Sequence, residues 1–209
     1  MAVVITVAQQ KGGAGKTMLA ANLSAAFAAH RRVALLDIDP QRSLARWHAI
    51  RTARSSPSPS IAFSDVSGWR LSGELDRLRR DCDVLVVDSP PQIDSDSRRA
   101  VRAADLVLIP VQASAPDLWA AEGTVTLARA EKRPVAIVLN RAPTARLQRE
   151  RALGDVRLAG HTPLAASLGN RTAFAHAFAA GLGVMEAAPR TAAAAEMLAL
   201  FKLIEEMLP

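Results

Sequence analysis

Cysteine is almost missing from this chain of 209 residues: Cys82 stands alone. One thiol excludes an internal disulfide and fits a reducing compartment. Its expected role is that of a small core residue at the start of a strand. Tyrosine is absent, and lysine occurs only at positions 11, 16, 132 and 202, so the net charge of +6 is carried by arginine. Arginine excess suits phosphate and nucleic-acid contact, although a GC-rich genome produces the same bias. No apolar run reaches the length of a membrane span. The opening residues read as a strand rather than as a charged region followed by an apolar one, so no secretory leader is expected. No internal repeat is visible.

What is present is an apolar half, enough for one α/β domain with a sizeable core. The chain is organised around Gln9-Gln10-Lys11-Gly12-Gly13-Ala14-Gly15-Lys16-Thr17. An apolar run over residues 3–8 precedes it and reads as a buried strand. A helical run over 17–29 follows, with Leu19, Leu23, Ala26 and Phe27 at helical spacing. Strand, glycine loop and helix make the context of a phosphate-binding loop. Glycines let successive N–H groups turn toward an anion, and the helix N-terminus adds partial positive charge there. Lys16 is placed to reach terminal phosphates and Thr17 to meet magnesium. The loop departs from GxxxxGK[ST]: Gln10 stands where the first glycine belongs. Lys11 is expected at the open lip.

Further strands are predicted at 33–36, 61–66, 84–87, 106–111 and 135–139, with a last one at 162–165. Helices are predicted at 43–51, 71–80, 117–130, 172–180 and 191–207, and most of 141–171 reads as one helix and the loop after it. Residues 55–60 form a polar, proline-broken connector too short to separate domains. Alternating strands and helices predict a single domain with a mainly parallel twisted sheet covered by helices on both faces. In such sheets the ligand lies beyond the carboxyl ends of the strands. Two of those ends carry carboxylates: Asp37-Ile38-Asp39-Pro40-Gln41 after the second strand, and Asp88-Ser89-Pro90-Pro91 after the continuously apolar 84–87. Asp88 fits a magnesium-holding position. Asn140 ends the strand at 135–139, and two readings stay open for it: an amide that reads a nucleobase, or a turn asparagine.

Lys11 to Thr17 resembles the deviant Walker A motif of the ParA/MinD ATPases. Asp37 to Gln41 is similar to that family's Walker A′ segment, and Val84 to Pro91 to its Walker B. Asn170-Arg171-Thr172-Ala173-Phe174, Gly181 and Glu196 resemble the tail of the short, ParF-type partition proteins. Met18 departs from relatives with a second threonine. The resemblance covers essentially the whole chain and implies a P-loop ATPase without an N-terminal helix-turn-helix extension. ATP and Mg2+ are the implied cofactors. Gly12, Gly13, Ala14, Gly15, Lys16, Thr17, Met18 and Asn140 are the expected nucleotide contacts, and Thr17, Asp37 and Asp88 the metal-side residues. Lys11, Lys16 and Asp39 are the expected catalytic groups, Asp39 orienting or deprotonating the attacking water. The resemblance further implies a homodimer with two ATPs sandwiched between subunits, Lys11 of each reaching the nucleotide of the other. Slow basal turnover, raised by a partner, is expected.

Three functional readings follow. The first is DNA, bound without sequence preference by the ATP dimer, which would make the protein cytoplasmic and nucleoid-associated. The arginines between 141 and 171 supply one candidate surface, and Arg42, Arg46, Arg51 and Arg54 a second. Arg149, Arg171 and Arg190 are the expected contacts, and a ParB-like or ribbon-helix-helix adaptor the implied partner. The second is a membrane, as for MinD-type positioning ATPases with an amphipathic last helix. The last helix carries Ala194, Met197, Leu198, Phe201, Ile204 and Leu208 as an apolar stripe. Its polar side, with Glu196, Lys202, Glu205 and Glu206, is net acidic and so repelled by anionic lipid. Packing into the core is the better reading. The third, an electron-transfer or metal-delivery ATPase, needs bridging cysteines that Cys82 alone does not provide.

Overall fold

The computed structural model describes residues 2–55, 58–92 and 94–209. Elements alternate in the order β1 (Val3–Val7), α1 (Lys16–Ala28), β2 (Val33–Asp37), α2 (Ser43–Thr52), β3 (Ile61–Ser64) and α3 (Leu71–Asp81). There follow β4 (Val84–Asp88), α4 (Ser95–Ala103), β5 (Leu106–Val111), α5 (Ala115–Ala130), β6 (Val135–Leu139), α6 (Arg146–Leu158), α7 (Thr172–Ala179), α8 (Val184–Ala187) and α9 (Ala192–Glu206). The strands form one sheet in the order β3-β2-β4-β1-β5-β6, and every pairing is parallel. Every residue of β2, β4 and β5 is buried, as continuous apolar runs require when helices cover both faces.

Successive side chains of a strand point to opposite faces, and the core divides accordingly. Ile5 and Val7 pack with Leu19, Leu23 and Phe27 of α1, Trp47 of α2 and Met197 and Phe201 of α9. Val4, Leu36, Leu85 and Val87 face α3 through Leu71, Leu75 and Leu78. Val107, Ile109 and Ile137 face α5 and α6. The apolar residues of α9 are thus consumed: Met197, Leu200, Phe201 and Ile204 are buried, and only Leu198 of the expected stripe is exposed among the helix's own residues. Cys82 is buried just ahead of β4, as its sequence context suggested.

Residues 162–165, α4 and the four-residue α8 were not legible. Residues 162–165 do not form a strand; they make a single parallel bridge, Ile137 with Pro163, and Leu164 N donates to Ile137 O at 2.8 Å. The long stretch after α6 instead runs beside β6, shielding that edge, and delivers Gly169 to Arg171 to the sheet's carboxyl end. Helix α4 was missed because its sequence is dominated by charge. Its signal was the cap: the Asp94 carboxylate accepts from Asp96 N and Ser97 N. In the 55–60 connector, Ser56 and Pro57 lie outside the described residues.

Arg51, part of the second expected DNA surface, is 5 % exposed. It donates to both Glu186 oxygens (2.8 and 2.7 Å), to Gly181 O and to Pro59 O, and lies over the Trp47 ring. It is a strut between α2 and the α7–α8 turn, not a surface cation. Glu186→Ala would leave this guanidinium buried without its counter-charge, so thermal unfolding should show a loss of about 3 kcal/mol. An unchanged melting curve would remove the strut from the account.

Candidate functional site

Strand order decides where the ligand goes. The chain leaves β1 toward β2 on one side and later returns to place β5 on the other, so a crevice opens beyond the carboxyl end of β1. A cavity of about 600 Å³ occupies it. Its floor is Gly12, Gly13 and Gly15 to Met18, with Ala14 buried beneath; its near side is Asp39 and Pro91, its far side Asn140, Arg141 and Gly169 to Arg171. Phe174 and Phe178 of α7 add an apolar wall. Gly15 adopts φ 94° as the cap of α1, a left-handed conformation that suits glycine. A Cβ there would also stand 2.1 Å from Asn140 Nδ2. The close approach lets Asn140 Nδ2 donate to Ala14 O at 2.8 Å, while Asn140 Oδ1 accepts from Arg141 N at 2.9 Å. Asn140 is therefore first a strut of the phosphate loop, with one amide hydrogen left for a base.

Lys16, 5 % exposed, points into this crevice and donates to Lys11 O at 3.4 Å. Burial lowers its pKa, while Asp88 and Asp39 pull it back up. Asp88 is fully buried, and neither carboxylate oxygen has a hydrogen-bond partner of normal geometry. Burial pushes its pKa up to about 8; the nearby Thr17 hydroxyl and Lys16 only partly oppose this, and Asp37 and Asp39 add to it. An unsatisfied buried carboxylate beside a threonine hydroxyl and a phosphate loop is chemistry that fits Mg2+. Among the described residues no three His, Cys, Asp or Glu side chains form a self-contained metal cage.

Asp37 pairs in register with Asp88 but is differently occupied. Its Oδ1 accepts from Asp39 N at 3.1 Å and its Oδ2 from Ala45 N at 2.9 Å. Burial raises its pKa and these amides lower it. Asp37 thus shapes the loop that carries Asp39 and anchors the start of α2. Asp39 itself lines the cavity, with Oδ1 accepting from Gln41 N at 2.9 Å.

Lys11 is half-exposed at the lip, as expected, but folded back: its ammonium pairs with Asp117 of α5. Asp117 is 1 % exposed, and its Oδ2 also accepts from Ser114 Oγ at 2.6 Å. Sequence reasoning placed Asp117 in the first turn of a helix and missed its pairing with Lys11. It also left out Arg141 as a cavity residue.

The expected DNA contacts separate. Arg149 and Arg171 both donate to Glu196 of α9, at 2.8 and 2.9 Å, and Arg171 lines the cavity. They are internal ion-pair partners in this structure. Arg190 is exposed. So are Arg146, Arg151 and Arg157 of α6, with Arg146 paired to Glu150 on the same helix. No helix among the described residues is long and apolar enough to cross a membrane.

Residues 5–184 match the family described as the CobQ/CobB/MinD/ParA nucleotide binding domain. The maintenance of carboxysome distribution protein A of Halothiobacillus neapolitanus is 29% identical over 215 residues, spanning 100% of this chain and 97% of that protein. Protein ParA of Rhizobium radiobacter is 37% identical over 116 residues, but that match spans only 54% of this chain and 50% of the relative. Among solved structures, a single-substitution variant of Cyanothece McdA in complex with ATP superposes with a TM-score of 0.78 at 17% identity, over 99% of this chain and 96% of that one. This last likeness is one of fold.

Proposed function

The chain belongs to the CobQ/CobB/MinD/ParA nucleotide-binding family, and from that membership and the crevice at β1 we infer that it is a Mg2+-dependent ATPase of the partition and positioning kind. It pairs with a second copy around two ATP molecules, binds DNA without sequence preference in the paired state, and positions a cargo through an adaptor of the ParB-like or ribbon-helix-helix type. The observation that carries the reading is the buried, unpartnered carboxylate of Asp88 beside Lys16 and Thr17 in the phosphate-loop crevice. That arrangement is costly in an empty protein and useful when a cation and phosphates occupy it. Carboxysome distribution in one relative and the ParA name of another support positioning as the task.

In this reading the loop amides and Lys16 hold the phosphates, Thr17 and Asp88 hold the magnesium, and Asp37 keeps the Asp39 loop in place. The metal supplies neutralisation of charge on the transferring phosphoryl group. Asp39 lies at the open side of the cavity, where a water must enter, and orients it. Lys11, released from Asp117, adds positive charge to the partner's nucleotide. Because the work is positioning and electrostatics, turnover is slow until the paired state and the adaptor complete the site.

DNA affinity is expected from the exposed arginines. Fluorescence anisotropy with a random-sequence duplex should show binding with ATP and not with ADP, falling steeply as salt rises. Arg190→Ala should lower the log–log salt slope by about 1. Arg149→Ala should act instead through the Glu196 network, lowering the melting temperature. No duplex binding by ATP dimers whose formation has been verified would remove DNA from the proposed function.

A further inference from the structure

The two loops that close the far side of the cavity are held by one carboxylate from the last helix. Asp39 and Asp88 stand at the ends of β2 and β4, so the terminal phosphate lies toward that half of the sheet. The base must then lie on the other side of β1, toward β5 and β6. There the wall consists of Asn140 and Arg141 after β6 and of Gly169 to Arg171. The second loop bridges to the first: Ala142 N donates to Leu168 O at 2.8 Å and Asn170 N to Ala142 O at 2.9 Å.

Both loops converge on Glu196. Its Oε2 accepts from Gly169 N at 2.9 Å and from Arg171 Nε at 3.0 Å; its Oε1 accepts from Arg171 Nη2 at 2.9 Å and from Arg149 Nη2 at 2.8 Å. Arg149 in turn donates from Nε to Pro143 O at 3.1 Å, so the β6–α6 loop is fastened to the same carboxylate. Glu196 is largely buried, its side chain 11 % exposed. The fit is tight: a Cβ on Gly169 would lie 3.0 Å from Glu196 Oε2 and 3.1 Å from Arg171 Nε. Arg141, on the first loop, is held at φ 50°, a left-handed conformation unusual for a side-chain-bearing residue.

We propose that Glu196 is a positioning residue for the nucleobase: by clamping Gly169, Arg171 and, through Arg149, the Asn140–Pro143 loop, it sets the width and polarity of the base-side wall and so the preference of the site for one purine over another. It does not itself line the phosphate-loop cavity. Its influence on affinity is therefore confined to ligands that carry a base. The proposal rests on the nucleotide-binding reading above.

Glu196→Gln keeps the volume and removes the charge that holds two guanidinium groups. Calorimetric titration with Mg–ATP, Mg–GTP and inorganic tripolyphosphate separates the possibilities. ATP affinity should fall by about tenfold or more, as loss of charge-assisted hydrogen bonds implies. The ATP-to-GTP preference should shrink, and tripolyphosphate, which has no base, should bind as it does to the unaltered protein. Glu205→Gln, an equal charge change on the same helix, should leave all three unchanged. If Glu196→Gln lowers only the melting temperature, with ATP affinity and purine preference intact, the proposal is overturned and the cluster is merely structural. Should that variant fail to fold, Arg149→Ala carries the test: it removes one arm of the clamp and should weaken ATP but not tripolyphosphate, and equal binding of ATP would again overturn it. A wild-type chain that binds tripolyphosphate but shows no ATP binding would refute the base-side wall. Binding of neither would refute the nucleotide reading itself.

Discussion

Lys11→Ala yields a chain that still takes up ATP but no longer pairs in its presence. Two facts set the expectation. Lys11 stands at the lip of the phosphate loop with its side chain 38 % exposed, while Lys16 lies inside; loss of Lys11 therefore spares the primary phosphate contact. In a two-fold symmetric pair each substitution acts twice. Two charge-assisted contacts at roughly 1.5–3 kcal/mol each amount to about 10²- to 10⁴-fold in the dimer dissociation constant. Analytical ultracentrifugation with ATP should show monomer, and hydrolysis should fall with it. Asp117→Asn is the informative companion. In the single chain Asp117 holds Lys11 back, so neutralising it should release the lysine and strengthen ATP-dependent pairing. Weaker pairing by Asp117→Asn would mean that the ion pair belongs to the active form. A Lys11→Ala chain that dimerises normally with ATP would refute the cross-subunit role.

Asp88→Asn should slow hydrolysis sharply while making the nucleotide-free protein more stable. The carboxylate is buried without a hydrogen-bond partner, and its pKa in the folded chain is raised to about 8 from an ordinary 3.8. Between those values the unfolded chain has lost the proton and the folded chain keeps it. Stability of the free protein from this group thus falls as pH rises from about 4 to about 8 and is level beyond. Asparagine removes that slope. The gain at pH 8 should be on the order of a few kcal/mol, visible as a higher melting temperature at pH 8 than for the unaltered chain and a smaller difference near pH 4. Turnover with Mg–ATP should drop by about a hundredfold or more, since the variant lacks the anionic metal contact. Equal melting temperatures across this range would show that Asp88 is not destabilising as placed. Asp39→Ala, by contrast, should lose turnover and retain ATP-dependent pairing, because Asp39 lines the open side of the cavity and bonds only its own loop.

What the chain alone determined is whatever depends on neighbours in sequence. Apolar runs bounded by turns gave β5 and β6 to the residue and β4 to within one. The glycine loop between strand and helix and the carboxylates at strand ends pointed to one crevice, because a parallel sheet collects those ends in one place. What only the tertiary structure decided is which charges remain free. Counting arginines could not tell Arg190, exposed, from Arg51 on Glu186 or from Arg149 and Arg171 on Glu196. Glu186 is 135 residues from Arg51, and Asp117 is 106 from Lys11. An ion pair is fixed by distance in space, and distances across such separations exist only once the sheet has brought α2 to α8, α6 to α9 and the β1 loop to α5. The same holds for the strut that Asn140 forms under Ala14, which neither local reading contained, because its partner lies 126 residues earlier in the chain.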